Sequence, residues 1–266
     1  MSKINDELVK KNYSFLNKTL NRAVYQYKEK GLPKIEWGFY NRIVDYGEQL
    51  SLLSIIMNND FNEGKKYAYI SALAYDIEMR KYGWKSVKVH KAFLVGVFEE
   101  LQTIYLSFLT NNKKLITSVI LEAAQSDEET IKRNINELFY NMYQTIRCIY
   151  NEENDCVDEY INRLEAFRVR KDLKDYMYYL DALEAIIERN EEKLNNALIK
   201  MNKVHKKLYE YKGTIQEILC TPALGIGKLA TFKGMKPKCD DIPLFNEFMN
   251  DTDEINEDIE YLNYDL

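Results

Sequence analysis

The chain has 266 residues, 46% hydrophobic and 30% charged, with a formal net charge of −5. A domain of this length buries roughly 70–75% of its unfolded surface, so it requires no disulfide or metal staple. The longest apolar runs, such as Ala92–Phe98, fall far short of the ~20 residues of a membrane span, and the charged N-terminus has no apolar signal core.

Apolar spacing and turn residues predict helices at about 5–30, 37–57, 61–82, 88–109, 113–124, 127–150, 154–169, 172–189, 191–211 and 222–233. No proline lies between Pro33 and Pro222, and no glycine between Gly96 and Gly213, so strand-bounding turn signals are missing from the middle of the chain. Asp60 and Asn190 suit helix N-caps, and Ser126 with Glu129 forms a capping box. Tyr176, Tyr179, Leu180, Leu183, Ile186 and Ile187 make one apolar stripe. Leu194, Ala197, Leu198, Met201, His205 and Leu208 make the next.

Thr221 followed by Pro222 reads as a cap with proline in the first turn, and Gly234 as the left-handed stop of that helix. Residues 148–157 weakly echo residues 185–194, each the end of a helix, a polar turn and a new start. The expected fold is all-α, packed αα-hairpins with a helical-repeat character and about ten helices. Residues 1–250 form one domain, with a subdivision near 110–126 as the alternative, and 251–266 form an acidic C-terminal tail.

Chemistry-bearing motifs are scarce. The four cysteines (Cys148, Cys156, Cys220, Cys239) show no paired spacing, so free thiols in a reducing cytoplasm are expected. His90 and His205 sit on apolar stripes without a metal-ligand pattern and read as core residues. Gly225-Ile-Gly-Lys228 resembles a phosphate loop only superficially: Pro222 stands where the first glycine belongs, and Leu229 cannot ligate magnesium. Small residues there instead allow close helix approach. No catalytic residue, cofactor or metal is expected, and the reading is not an enzyme.

Basic stretches occur at Arg163, Arg168, Arg170, Lys171 and Lys174, and at Lys203, Lys206, Lys207 and Lys212 with Tyr209 and Tyr211. The acids between them and a pI near 5.4 speak against nucleic acid. No basic residue follows Lys238. Ten acids lie in 239–266, leaving 37 basic against 32 acidic residues before them. This asymmetry makes the tail the candidate contact element, through Asp251, Asp253, Glu254, Glu257, Asp258, Glu260, Tyr261 and Tyr264. Ile255, Ile259 and Leu262 are spaced to form a short helix that docks on the body or on a basic partner; a frayed solubilising tail is the other reading.

Two segments together carry a resemblance. One is Leu180–Leu198 running on to His205-Lys-Lys. The other is Ala223-Leu-Gly-Ile-Gly-Lys-Leu-Ala230 with Lys233-Gly-Met-Lys-Pro and Asp240-Asp-Ile-Pro243. Over residues 180–248 the chain resembles the immunity protein 49 family of bacterial polymorphic-toxin systems. That resemblance implies an all-helical protein that neutralises a cognate toxin by protein contact, without catalytic residues. It does not extend to the acidic tail. A helical-repeat scaffold or adaptor, and an all-helical enzyme, are the alternatives.

Overall fold

The computed structural model describes residues 6–30, 37–86, 96–123, 135–205, 207–208 and 219–262. Within them the chain is all-α, without a strand. The helices are α1 (Asp6–Lys30), α2 (Trp37–Leu53), α3 (Phe61–Ser86), α4 (Gly96–Leu109), α5 (Lys113–Ala123) and α6 (Ile135–Asn151). They continue as α7 (Asn154–Glu165), α8 (Met177–Ile187), α9 (Glu191–His205), α10 (Thr221–Phe232) and α11 (Phe245–Asn250). The capping box at 126–129, His90, Lys206, Tyr209, Tyr211, Lys212 and Tyr264 lie outside the described residues. No described helix is long and apolar enough to cross a membrane.

Local chemistry sets the boundaries. The Asp60 carboxylate accepts the Glu63 N–H and the Asn190 side chain accepts the Lys193 N–H, so both caps form as their sequence position predicts. Asn112 caps α5 in the same way, through the Leu115 N–H. Thr221 does not cap. The helix begins one residue earlier than expected, and the Thr221 hydroxyl is buried without a hydrogen-bond partner. At the far end Gly234 has φ 79°; the Met235 N–H bonds to Ala230 O and the Gly234 N–H to Thr231 O. These two bonds satisfy carbonyls that the helix end would otherwise leave open.

Neighbouring helices pair as hairpins: α2 with α3, α6 with α7, and α8 with α9. The echo between residues 148–157 and 185–194 has a structural counterpart. Glu152 and Arg189 are both left-handed; Glu153 N–H bonds to Cys148 O, and Asn190 N–H to Ala185 O, each at 2.9 Å. Two helix ends 37 residues apart thus close with the same hydrogen bonds. The stripes on α8 and α9 are buried as expected, except Ile187, which is 41% exposed. It is the last residue of α8, one helical step around from the buried Ile186.

The cysteine expectation is corrected. Cys148 and Cys156 form a disulfide across the α6–α7 turn, while Cys220 and Cys239 are free and buried. The left-handed Glu152 folds the chain back, so residues eight apart in sequence bring their Cα atoms to 6.2 Å. No spacing rule signals this, because the proximity depends on one turn conformation.

Helix α10 is the central element. Every residue from Thr221 to Ala230 is buried, and the helix contacts α4, α6, α8, α9 and α11. A helix apolar on all sides belongs inside a fold. A Cβ on Gly225 would stand 2.5 Å from Tyr105 Cβ, and one on Gly227 would stand 2.7 Å from Phe245 Cζ. The two glycines admit α4 on one side and α11 on the other, as the small-residue reading expects.

Candidate functional site

The tail is anchored to the body by its backbone and by one carboxylate. Asp251 Oδ2 accepts hydrogen bonds from Lys65 Nζ at 2.5 Å and Asn111 Nδ2 at 2.7 Å. The Asp251 carbonyl accepts from Lys228 Nζ at 2.5 Å and Asn111 Nδ2 at 3.2 Å. The Asp253 carbonyl takes further bonds from Lys65 Nζ and Asn111 Nδ2. Then the Ile255 N–H donates to Thr110 O and Asn112 Nδ2 donates to Ile255 O. Residues from α3, the α4–α5 turn and α10 therefore converge on three tail residues, Asp251, Asp253 and Ile255.

The receptors are buried. Lys65 and Lys228 are each 2% exposed. A buried ammonium is tolerated only where oxygens surround it. Lys228 also donates to Phe248 O at 2.7 Å, so it satisfies a carbonyl in the last turn of α11 while holding the tail. Burial lowers the Lys228 pKa from 10.5 to about 8; Asp251 opposes the shift and Lys65 adds to it.

Beyond Ile255 the tail lies across α1 and α3. Ile259 and Leu262 are buried and Ile255 packs on the core, so the three apolar positions dock on the body as their spacing suggests. They do not form one helix. Residues 251–259 carry no helix, and a short 3₁₀ turn covers Glu260–Leu262. The reason is hydrogen bonding: the Ile255 N–H and the carbonyls of residues 251, 253 and 255 are engaged by the body.

This geometry divides the eight candidate contact residues. Asp251 points inward and holds the tail. Tyr261 is half-buried, its phenol pushed up to about 12 by burial, with Tyr67 and Glu257 adding to the shift. Glu257 pairs with Lys66 and Glu260 with Lys28 at the surface. Asp253, Glu254 and Asp258 are exposed. Tyr264 lies outside the described residues. Burial first, then Glu257, Glu254 and Asp258, raise the pKa of Tyr69 on α3.

Sequence reasoning passed over the receptors Lys65, Asn111, Asn112 and Lys228. A signal existed for the lysines. Lys65 falls in register with Phe61, Ala68 and Ala72 on the buried side of α3, and Lys228 lies in an otherwise small and apolar helix. A lysine at such a position requires an oxygen partner from elsewhere in the chain.

The three arginines of the first basic stretch are engaged with acids on their own surface. Arg168 contacts Glu165, Asp181 and Glu184; Arg163 contacts Glu159 and Arg170 contacts Asp172. An open, polar hollow between α8 and α9 is lined by Asp181, Asn190, Glu192, Lys193, Asn196 and Lys200. His205 is buried, as its place on the α9 stripe predicts. No protein-family model, no curated protein and no solved structure matches this chain.

Proposed function

We propose that this chain is an immunity protein that binds a cognate bacterial toxin in the cytoplasm and neutralises it by protein contact, with no reaction centre of its own. The observation that carries this reading is the tail: Asp253, Glu254 and Asp258 are exposed on a backbone held by Lys65, Asn111, Asn112 and Lys228. A carboxylate row on a fixed backbone loses little entropy on binding. It also attracts a basic partner from a distance and sets its orientation. The resemblance over residues 180–248 points to the same role, and within that segment α10 holds the tail through Lys228.

Co-expression with the toxin encoded beside this gene tests the proposal. Cells are expected to survive with the intact chain; killing at an undiminished rate in the presence of soluble, folded chain would falsify it. Substituting Asp253→Asn, Glu254→Gln and Asp258→Asn together should slow association and flatten its salt dependence. A second reading, a helical scaffold for another protein, draws on the matching hairpin closures at Glu152 and Arg189. Recovery of a stoichiometric non-toxin partner from the native host would favour it.

A further inference from the structure

The α6–α7 turn brings together three groups that the proposed function does not use. Glu153 Oε2 lies 3.4 Å from Cys156 Sγ and 3.9 Å from Cys148 Sγ. Asn151 Nδ2 donates to Glu153 Oε1 at 3.0 Å, which turns the other carboxylate oxygen towards the sulfurs. Arg147 reaches Glu153 Oε2 at 3.2 Å and Cys148 Sγ at 3.8 Å. The turn is fixed by Glu153 N–H to Cys148 O and Cys156 N–H to Glu153 O, and from outside by Lys233, which bonds Tyr150 O and Glu152.

We propose that, once the disulfide is reduced, Cys148, Cys156 and Glu153 form a three-ligand site for Zn²⁺, with water in the fourth position. Tetrahedral zinc holds sulfur at about 2.3 Å and carboxylate oxygen at about 2.0–2.2 Å, so its oxygen and sulfur ligands stand about 3.5 Å apart. The two oxygen–sulfur separations found here bracket that value. The sulfurs must part to about 3.8 Å, the tetrahedral edge for two such bonds. Rotation about the Cα–Cβ bonds achieves this with the Cα atoms held at 6.2 Å. Two thiolates, one carboxylate and Zn²⁺ carry a net −1, and the Arg147 guanidinium balances it. Cys156 is half-buried and Glu153 exposed, so the ion and its water have access, while Cys148 is buried.

The chemistry balances. A dithiol or phosphine reductant gives two electrons to the sulfur–sulfur bond and is itself oxidised; two protons complete the two thiols. Zn²⁺ then displaces both protons as it binds, so affinity rises with pH. In a reducing compartment the pair is a metal site, and in an oxidising one it is a cross-link.

The test uses the full chain, reduced with a phosphine under inert gas, with Co²⁺ as the probe. Reduced protein is expected to bind one equivalent, with thiolate-to-cobalt charge-transfer absorption that added Zn²⁺ abolishes. Oxidised protein, Cys148→Ser and Cys156→Ser should show none of this absorption, whereas the Cys220→Ser/Cys239→Ser variant should retain it. Glu153→Gln keeps both thiols and a surface position, and should weaken binding by more than about tenfold, the lower end for a lost outer-shell contact. Absorption by the reduced protein no stronger than in Cys148→Ser, or unchanged affinity in Glu153→Gln, would overturn the proposal.

Discussion

The Lys65 ammonium and the Asp251 carboxylate meet at 2.5 Å with only 3% and 10% of their side chains exposed. This pair joins α3 to the first residue of the tail. Removing one partner of a buried pair strands the other charge and costs about 3–5 kcal/mol. Asp251→Leu and Lys65→Met are each expected to lower stability by that order in urea unfolding. Lys65→Met/Asp251→Leu together should cost clearly less than the sum. Additivity in this cycle would mean that the two charges are not coupled.

The anchor also separates stability from recognition. Deleting the chain after Asn250 removes the Asp251 and Asp253 oxygens that Lys65 and Lys228 hold, leaves Lys228 only Phe248 O of its two carbonyls, and uncovers the seats of Ile259 and Leu262. Truncation should therefore destabilise the body and cannot report on partner contact alone. Asp253→Asn/Glu254→Gln/Asp258→Asn leaves the anchor intact, and its effect on stability should stay within about 0.5 kcal/mol per exposed site. A large loss of stability in this triple variant would place those carboxylates in the anchor instead of on the display surface.

Lys228 makes stability depend on alkaline pH. Its pKa is about 8 in the folded chain and 10.5 for the ordinary side chain. Between these values the unfolded chain holds a proton that the folded chain has released, so stability rises with pH. The contribution is fully present above 10.5 and lost as pH falls through about 8. Its ceiling is about 3 kcal/mol, at 1.36 kcal/mol per unit. Cys220 acts oppositely: burial raises its thiol from 9.0 to about 12, which lowers stability over that window. The comparison must therefore be wild type against Lys228→Met, which keeps Cys220. The stability difference in favour of wild type should grow from pH 7.5 to pH 9.5; a flat difference would show that the folded ammonium titrates normally.

Most helices were legible because their signals are local. Asp60, Asn190 and Gly234 act within one turn of their own positions, and the stripes on α8 and α9 follow from spacing. The tail was legible only in part. Ile255, Ile259 and Leu262 announce a docking face, yet its conformation is set by Thr110, Asn111 and Asn112, about 140 residues away in sequence. The Cys148–Cys156 contact was hidden for a related reason: it depends on left-handed Glu152, and glutamate carries no bias towards that conformation. Asp251 shows the limit most clearly, since a carboxylate in an acidic run reads as solvated until Lys65 and Asn111 are placed around it.

The three glycines of the α10 region should respond differently to alanine, because a different constraint acts at each. At Gly225 the added methyl meets Tyr105 Cβ at 2.5 Å and its Cα at 2.6 Å. Ring atom Cδ1 also lies at 2.6 Å, but the Cα and Cβ clashes remain when the ring is removed, so the overpacking cost of about 1–3 kcal/mol is a lower bound and truncating the Tyr105 ring gives only partial relief. At Gly227 the methyl meets the Phe245 ring at 2.7 Å and Met249 Sδ at 3.0 Å. Those are side-chain ends, so Gly227→Ala combined with Phe245→Leu should cost less than the sum of the two changes. At Gly234 nothing lies within 4 Å, and φ is +79°. The cost there is conformational, about 1 kcal/mol, and independent of any neighbour. Thermal unfolding of the single and paired variants distinguishes the cases. Full rescue of Gly225→Ala by Tyr105→Ala would show that the α4–α10 contact is made by the ring and not set by how near the two backbones lie.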